Sequence, residues 1–173
     1  MLTLLMLRHA KSDWSSDYGG NDVDRPLAPR GRRSAKAVGR FITAAGQVPD
    51  LILVSPALRA RETVELARAS GSWGSEVKVD QGLYGDAAGL VEAVRGIKDS
   101  VRLAMIVGHE PAWSGGASRL TNGTEFRLPT ASVLRLDFEV DTWAGARGNG
   151  RVMWLVTPRL IVAMSQEGRR ARA

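Results

Sequence analysis

The chain has 173 residues, of which 44% are hydrophobic and 24% charged, and it contains no cysteine. These proportions are typical of one globular domain, and the lack of cysteine excludes disulfides, thiolate chemistry and cysteine-ligated metals. The net charge is +6, but four arginines against one glutamate after position 158 supply half of it. Nucleic-acid binding is therefore an unfavoured reading of the basic charge.

The apolar segments are all shorter than the roughly 20 residues that a membrane-spanning helix requires. The first eleven residues lack the basic leader and the small-residue cleavage site of a signal peptide. We therefore expect a cytoplasmic protein with no membrane partner.

Five short apolar segments predict β-strands, and the first three are uninterrupted, as is typical of strands covered on both faces. In chain order they are 3–7, 51–54, 103–107, 132–138 and 152–156. The fourth segment alternates in polarity, with Arg135 and Asp137 on one side, and is expected to be half exposed.

Apolar residues recur at helical spacing between these strands and predict three helices, over 33–45, 57–69 and 87–97. A short fourth helix is expected after Pro111, ended by Gly115 and Gly116. Strands that alternate with helices favour an α/β fold, a three-layer αβα sandwich around a mostly parallel central sheet.

The domain organisation follows from the same pattern. We expect a single domain over 1–158, with an exposed glycine-rich loop over 143–150 and a basic C-terminal tail over 159–173. Trp154, inside its strand, is expected in the core, whereas Trp14 is the tryptophan expected at the rim of a pocket.

Cationic and imidazole side chains follow three of the predicted strands. Arg8 and His9 follow the first strand, Arg59 lies one turn into the helix after the second, and His109 follows the third. Because the carboxyl ends of parallel strands meet at one edge of a sheet, these four residues are expected to share a crevice. Two arginines and helix N-termini with no offsetting carboxylate cluster predict a phosphate site.

A histidine in such a pocket can attack phosphorus through one ring nitrogen while a hydrogen bond at the other fixes the tautomer. The arginines and the second histidine would stabilise charge on the equatorial oxygens of the transferring group. No cofactor and no metal are expected, because two histidines and scattered acids form no convincing ligand set. Phosphate binding without catalysis is equally compatible with these residues.

The segments LRHAKSDWS, SPALRARETV and VGHEP, in this order, resemble the histidine phosphatase superfamily, also called phosphoglycerate mutase-like. The RHAKSDW form and the segment RPLAPRGRRSA are most similar to its SixA-type phosphohistidine phosphatase branch. The resemblance covers 1–158 and implies a phosphoglycerate mutase-like fold with His9 as the phosphorylated nucleophile. It implies a phosphate pocket of Arg8, Arg59 and His109, with Ser15 where relatives carry a phosphate-contacting asparagine.

The resemblance fails at the proton donor. Mutase-like relatives use a glutamate just before a tyrosine, where this chain has Gln81 in DQGLYGD. The alternatives nearby in sequence are Asp13, Asp80, Asp86 and Glu110, of which Glu110 adjoins the second histidine. A positioned acid contributes about 10²–10⁴-fold, so a site without one favours a leaving group that departs easily, such as the imidazole of phosphohistidine.

The sequence thus predicts a metal-independent phosphatase that acts on phosphohistidine of a signalling or phosphotransfer protein and releases inorganic phosphate. One alternative is a broad phosphomonoesterase that acts on small phosphorylated molecules. Another is a non-catalytic module that binds phosphate or a phosphoprotein.

Overall fold

The computed structural model describes residues 1–14 and 19–170, with the backbone alone from 165 to 170. Ser15 lies outside the described residues. The strands are β1 (Leu2–Arg8), β2 (Leu51–Val54), β3 (Glu76–Val79), β4 (Leu103–Gly108), β5 (Val133–Phe138) and β6 (Arg151–Val156). The helices are α1 (Pro29–Ala44), α2 (Leu58–Gly71), α3 (Ala87–Arg95), α4 (Ala112–Leu120) and α5 (Pro158–Arg170).

The strands form one six-stranded sheet in the order β3-β2-β4-β1-β5-β6. β1, β2, β3 and β4 pair in parallel, whereas β5 is antiparallel to both β1 and β6. Helices α1, α2 and α5 supply the apolar cluster on one face of the sheet, and α3 and α4 supply the cluster on the other. The αβα sandwich is confirmed; the sheet is mixed because β5 reverses direction.

The position of β1 between the two helical layers accounts for its largely apolar sequence. Its alternate side chains point to opposite faces of the sheet, so Leu4 and Met6 join the α3–α4 cluster while Leu5 and Leu7 join the α1–α2 cluster. All four are fully buried, and each contributes about 1.5–3 kcal/mol of apolar burial. A central strand between two helical layers thus presents apolar side chains to both, and its one buried polar side chain, Thr3, is satisfied by a hydrogen bond to Asp137.

Strand β3 was missed by the sequence analysis because its four residues, EVKV, are short and largely exposed at the edge of the sheet. The expectation that Gly115 and Gly116 end the fourth helix was wrong, since α4 continues to Leu120. A Cβ atom at Gly116 would lie 2.6 Å from Leu90 Cδ2. The glycine therefore lets α4 approach α3 closely.

The expectation that β5 is half exposed was also wrong. Because β6 covers its outer edge, Asp137 is only 6% exposed. Its carboxylate accepts hydrogen bonds from Thr3 Oγ1 at 3.0 Å and from Arg135 Nε and Nη2 at 2.9 and 2.8 Å. The polar residues of this strand pair with one another inside the fold instead of facing water.

The segment expected as a basic tail begins as helix α5. Pro158 occupies its first residue, where the missing N–H has no helical partner to lose. Ile161 is 1% exposed and packs in the α1–α2 cluster, and α5 contacts α1. Trp154 packs edge-on against Phe41 with ring centroids 5.9 Å apart. Across the described part of the chain, every helix is too short or too polar to traverse a bilayer.

Candidate active site

The ends of β1, β2 and β4 lie side by side because the strands pair in register. Arg8 lies opposite Gly108, and Val54 lies opposite Val107. The backbone continues this pairing past the strands, since His9 N–H donates to the Gly108 carbonyl at 2.8 Å. The side chains that follow these strands therefore meet at one edge of the sheet.

The structure brings the two histidines and the two arginines of the sequence analysis together. The rings of His9 and His109 are 6.0 Å apart between centroids. Arg59 Nη2 lies 3.1 Å from His109 Nδ1, and both Arg59 and Arg8 are close enough to depress the pKa values of the two histidines. The sheet thus assembles residues that are up to 101 positions apart in the chain.

The ring of His9 is held in one tautomer. Its Nδ1 is 2.7 Å from the Ala10 carbonyl oxygen, and a carbonyl can only accept, so Nδ1 carries the proton and donates. Nε2 is left with a free lone pair. Burial, with smaller contributions from Arg59, His109 and Arg8, lowers the pKa of His9 from 6.5 to about 3. The ring is therefore neutral at physiological pH, as a nucleophile must be.

His109 adopts the opposite tautomer. Arg59 has no acceptor, so Nδ1 of His109 accepts its hydrogen bond and the proton of the neutral ring lies on Nε2. Burial first, and then the positive charge of Arg59, lower the pKa of His109 to about 4, partly offset by Asp22. The rings of Tyr84 and Trp113 flank it, with centroids 5.1 and 6.5 Å away.

Both arginines retain a buried donor without a partner in the described part of the chain. Arg8 Nη1 donates to the Leu128 carbonyl at 2.7 Å, and burial lowers the pKa of its guanidinium below the ordinary value. The Nε atoms of Arg8 and Arg59 are buried and have no hydrogen-bond partner among the described side chains and backbone. An unsatisfied buried donor costs about 1–3 kcal/mol, so an oxyanion between them would remove a penalty as well as add charge pairing.

Asp22 is the site residue that the sequence analysis missed. Its carbonyl accepts from Arg59 Nη1 at 2.6 Å, and its Oδ2 accepts from Arg59 Nη2 at 3.0 Å. Its other oxygen accepts from Arg25 Nη2 at 2.6 Å. Hydrogen bonding from Arg25, followed by the charge of Arg59, lowers the pKa of Asp22. Asp22 therefore holds the Arg59 guanidinium by its two terminal nitrogens and leaves Nε without a partner among the described residues.

Arg25 extends this network to the protein surface. It is buried, donates to Ser12 Oγ, and its guanidinium carbon lies 3.6 Å from the centroid of the Trp14 ring. Trp14 itself is 70% exposed. The exposed tryptophan of RHAKSDW is thus connected through Arg25 and Asp22 to the buried Arg59.

Neighbouring segments fix the loop that carries His9. Thr63 Oγ1 accepts from Ala10 N–H at 3.0 Å and donates to the Arg59 carbonyl at 2.7 Å. Gly31 lies against Lys11, where a Cβ atom would be only 2.0 Å from the Lys11 carbonyl oxygen. Glycine is required there for a structural reason, because any side chain would collide with the Lys11 backbone.

Three of the four carboxylates considered as proton donors, Asp80, Asp86 and Glu110, are engaged in capping. Glu110 accepts from Ser114 N–H at 3.0 Å and from Ser114 Oγ at 2.7 Å. Asp80 accepts from Gly82 N–H at 2.8 Å. Asp86 caps α3 by accepting from two backbone N–H groups, and those bonds lower its pKa. Each of the three carboxylates thus accepts a hydrogen bond from a backbone N–H in its own turn, which ties its oxygens to local structure.

The part of the chain that the structure describes contains no group of three His, Cys, Asp or Glu side chains arranged to hold a metal. Metal independence itself stays a prediction.

An αβα fold with paired imidazoles and guanidiniums at the strand ends defines a domain with an oxyanion site. The model of the histidine phosphatase superfamily (branch 1) matches residues 4–97, and the chain belongs to this superfamily. The matched segment includes Arg8, His9 and Arg59, whereas His109 lies beyond it. The resemblance stated from the sequence is thereby confirmed.

Individual relatives agree with this assignment. The chain is 38% identical to an uncharacterized protein of Mycobacterium tuberculosis over 109 residues, which are 62% of this chain and only 65% of that relative. The fold is similar to that of the protein histidine phosphatase SixA complexed with tungstate, with a TM-score of 0.79, 20% identity, and coverage of 91% of this chain and 98% of that chain. It is also similar to a mycobacterial glucosyl-3-phosphoglycerate phosphatase complexed with VO3, with a TM-score of 0.70, 18% identity, and coverage of 89% and 98%.

Proposed function

We propose that this protein is a metal-independent phosphatase that hydrolyses phosphohistidine, or another activated phosphoryl group, through a phosphohistidine intermediate on His9. The observation that carries the proposal is the tautomer of His9. A neutral ring with Nδ1–H bonded to the Ala10 carbonyl leaves the Nε2 lone pair available for attack. A site that only binds phosphate would not need a histidine with a free Nε2 lone pair.

In the first step, His9 Nε2 attacks phosphorus, a new N–P bond forms, and the bond from phosphorus to the substrate nitrogen breaks. The His9 ring becomes positively charged because it keeps the Nδ1 proton, and the hydrogen bond to Ala10 favours that charged form. The substrate imidazole, protonated at its other ring nitrogen before cleavage, takes the electron pair of the broken P–N bond and leaves as a neutral ring. In the second step, water attacks phosphorus and the N–P bond breaks, which regenerates neutral His9 and releases inorganic phosphate.

The unpaired Nε donors of Arg8 and Arg59 would contact the phosphoryl oxygens in both steps, with the His109 ring beside them. Their role is to stabilise charge on the oxygens as bonds to phosphorus exchange, which is most of what phosphoryl transfer requires of a protein. Asp22 would act as a positioning residue, because it reaches the phosphate only through Arg59.

The preference for phosphohistidine rests on the engaged carboxylates. Glu110, the sequence candidate for the general acid, already accepts two hydrogen bonds from Ser114 and would have to give them up to reach a leaving group. An alkyl phosphate needs a proton from such an acid, whereas an imidazole that is already protonated at its other ring nitrogen does not. The substrate partner is thus a phosphorylated protein carrying phosphohistidine, with small phosphorylated molecules as the second choice.

The second candidate function is a broad small-molecule phosphomonoesterase, because proteins with this fold act on different kinds of substrate. Solved relatives with this fold include both a protein histidine phosphatase and a glucosyl-3-phosphoglycerate phosphatase, and a fold alone does not choose between substrates.

The test is turnover of a phosphohistidine-carrying protein and of an aryl phosphate, both in chelator, by the parent and by His9→Ala. We expect activity in the parent and a loss of about a thousandfold or more in the variant, as when a nucleophile is removed. Acid-labile, base-stable label on the parent after rapid quenching would identify the N–P intermediate. A parent that binds phosphate and turns over neither substrate would support the binding module instead.

A further inference from the structure

The first turn of α1 carries an unusual charge pattern. Arg30, Arg32 and Arg33 lie at the positive end of the helix dipole, and no acidic residue shares that turn. Cations there are unfavourable because the free N–H groups already concentrate positive charge. Arg32 is offset by Glu62 at 2.6 Å, but Arg30 and Arg33 have no ion pair within the described residues. Exposed cations at a helix N-terminus that no carboxylate offsets indicate a candidate functional surface.

These arginines line a groove of about 680 Å³ between α1, the turn before β5 and the start of α5. We call it the basic groove and define it by Arg30, Arg33, Pro129, Thr130, Arg159 and Val162. Its three arginines and Val162 are exposed. Positive charge and an apolar floor thus occur together along one surface.

The basic groove lies close to His9 in the fold, because residues next to both of its walls in the chain hydrogen-bond to the segment 8–11. On one wall, Ala131 N–H lies 3.0 Å from the Arg8 carbonyl and 3.1 Å from the His9 carbonyl. On the other wall, Ala28 N–H, just before α1, donates to the Lys11 carbonyl at 3.0 Å. A polypeptide that presents a phosphorylated side chain to His9 would have its flanking residues close to this groove.

We propose that the basic groove is the docking surface for an acidic segment of the phosphoprotein substrate, an inference that rests on the proposed function and extends it. Carboxylates of the segment pair with Arg30, Arg33 and Arg159, and its apolar side chains contact Pro129 and Val162. Charge complementarity selects this partner. Single-stranded nucleic acid fits less well, since the described residues that line the groove include no aromatic side chain on which a base could stack.

The test uses two phosphohistidine peptides of equal length that differ only in whether four flanking positions are Glu or Gln. The enzymes are the parent, the double variant Arg33→Glu/Arg159→Glu, and the control Arg40→Glu, which changes an exposed arginine of α1 outside the groove. Aryl phosphate turnover is measured with all three. Glu at position 33 suits the helix dipole, so the double variant is expected to fold.

For the parent we expect kcat/KM to be about tenfold higher on the Glu peptide than on the Gln peptide, as for a few exposed charge pairs. The double variant should reduce this ratio to one or below, while Arg40→Glu keeps it and aryl phosphate turnover changes less than about twofold. An unchanged peptide ratio in the double variant would overturn the proposal.

Binding separates a failure of docking from a failure of the proposed function. Anisotropy of a labelled, unphosphorylated Glu peptide is measured with the parent and the double variant, with a single-stranded oligonucleotide as competitor. Weaker peptide binding by the variant supports the basic groove even if no phosphate substrate is turned over. Equal binding by both proteins, or binding of the oligonucleotide in preference to the peptide, overturns it.

Discussion

Two helices begin at the same edge of the sheet and present arginine in opposite ways. At the start of α2, Arg59 is 5% exposed and held by Asp22 and His109. At the start of α1, Arg30 and Arg33 are exposed, and the described residues offer them no ion pair. The same side chain is suited in one place to stabilise charge at a fixed point, and in the other to attract a charged surface of variable shape.

The difference lies in what surrounds the guanidinium. The buried guanidinium of Arg59 makes three hydrogen bonds through its terminal nitrogens, so the position of its Nε is fixed before any ligand binds. An exposed arginine samples many rotamers and is screened by salt within about 8–10 Å. We therefore expect large, geometry-dependent effects at Arg59 and small, charge-dependent effects at Arg33.

The sharpest contrast is between Arg59→Lys and Arg33→Lys. Lysine keeps the charge but has no Nε donor and no second terminal nitrogen. We expect kcat/KM for aryl phosphate to fall about 10²–10³-fold in Arg59→Lys, as when one preorganised donor is removed. Arg33→Lys should change kcat/KM by less than about twofold, because an exposed charge contributes little free energy. Equal losses of kcat/KM in both variants would contradict the distinction between a geometry-dependent arginine in α2 and a charge-dependent arginine in α1.

The buried site should also make the protein sensitive to acid. The pKa values of His9 and His109 lie near 3 and 4, below the ordinary 6.5. The unfolded chain therefore binds more protons than the folded chain below pH 6.5, and stability is lost as the pH falls from 6.5 towards 3. At pH 4.5 we expect a loss on the order of 2 kcal/mol from His9, since one pKa unit is about 1.4 kcal/mol.

Urea unfolding of the parent and of His9→Asn at pH 7 and pH 4.5 measures this loss. Asparagine keeps a short donor for the Ala10 carbonyl but does not titrate, so the variant should lose less stability between the two pH values than the parent. The same pH dependence in both proteins would show that His9 is not protected from protonation by burial.

Asp22→Ala tests whether the geometry of Arg59 depends on its carboxylate partner. The backbone carbonyl remains, so one of the two bonds to Arg59 survives. We expect kcat/KM to fall about tenfold, which corresponds to one charge-assisted hydrogen bond. Asp22 also raises the pKa of His109, so an NMR titration should find that pKa lower in the variant. A pKa of His109 that stays the same or rises would contradict the positioning role.

The smallest effect is expected from Arg33→Glu alone. Exchanging a cation for an anion in the first turn of α1 favours the helix dipole by about 0.3–1 kcal/mol. The variant should therefore unfold at slightly higher urea concentration than the parent, with Arg40→Glu near the other end of the helix as the control without that gain. A less stable Arg33→Glu would mean that Arg33 has a structural partner, and the basic groove would lose one of its three charges.

Uninterrupted apolar strands, helical periodicity and residues at strand ends were sufficient to predict the αβα fold and to nominate Arg8, His9, Arg59 and His109 from the sequence. These signals are local or follow from one topological rule. Asp22 could not be found in the same way. It lies in a short 3₁₀ turn outside the main elements, and its importance comes from contacts with Arg25 and Arg59 that only the folded chain creates.

The two errors in the elements have the same origin. Gly116 suggested the end of a helix because glycine lowers helix propensity, but close packing against Leu90 outweighs that preference. The polar residues of β5 suggested exposure, but Thr3, Arg135 and Asp137 satisfy one another across neighbouring strands. In both cases a contact between residues far apart in the chain determined the structure, and the local sequence did not indicate that contact.

The hydroxyl of Thr63 has a consequence for turnover. It bonds both to the backbone of the loop that carries His9 and to the backbone of Arg59, so one hydroxyl oxygen links the two segments that carry the imidazole and the guanidinium. Under the proposed function, this spacing is set once, during folding, and does not have to be restored in each catalytic cycle. Thr63→Val, which is equal in shape but lacks the hydroxyl, would remove both bonds.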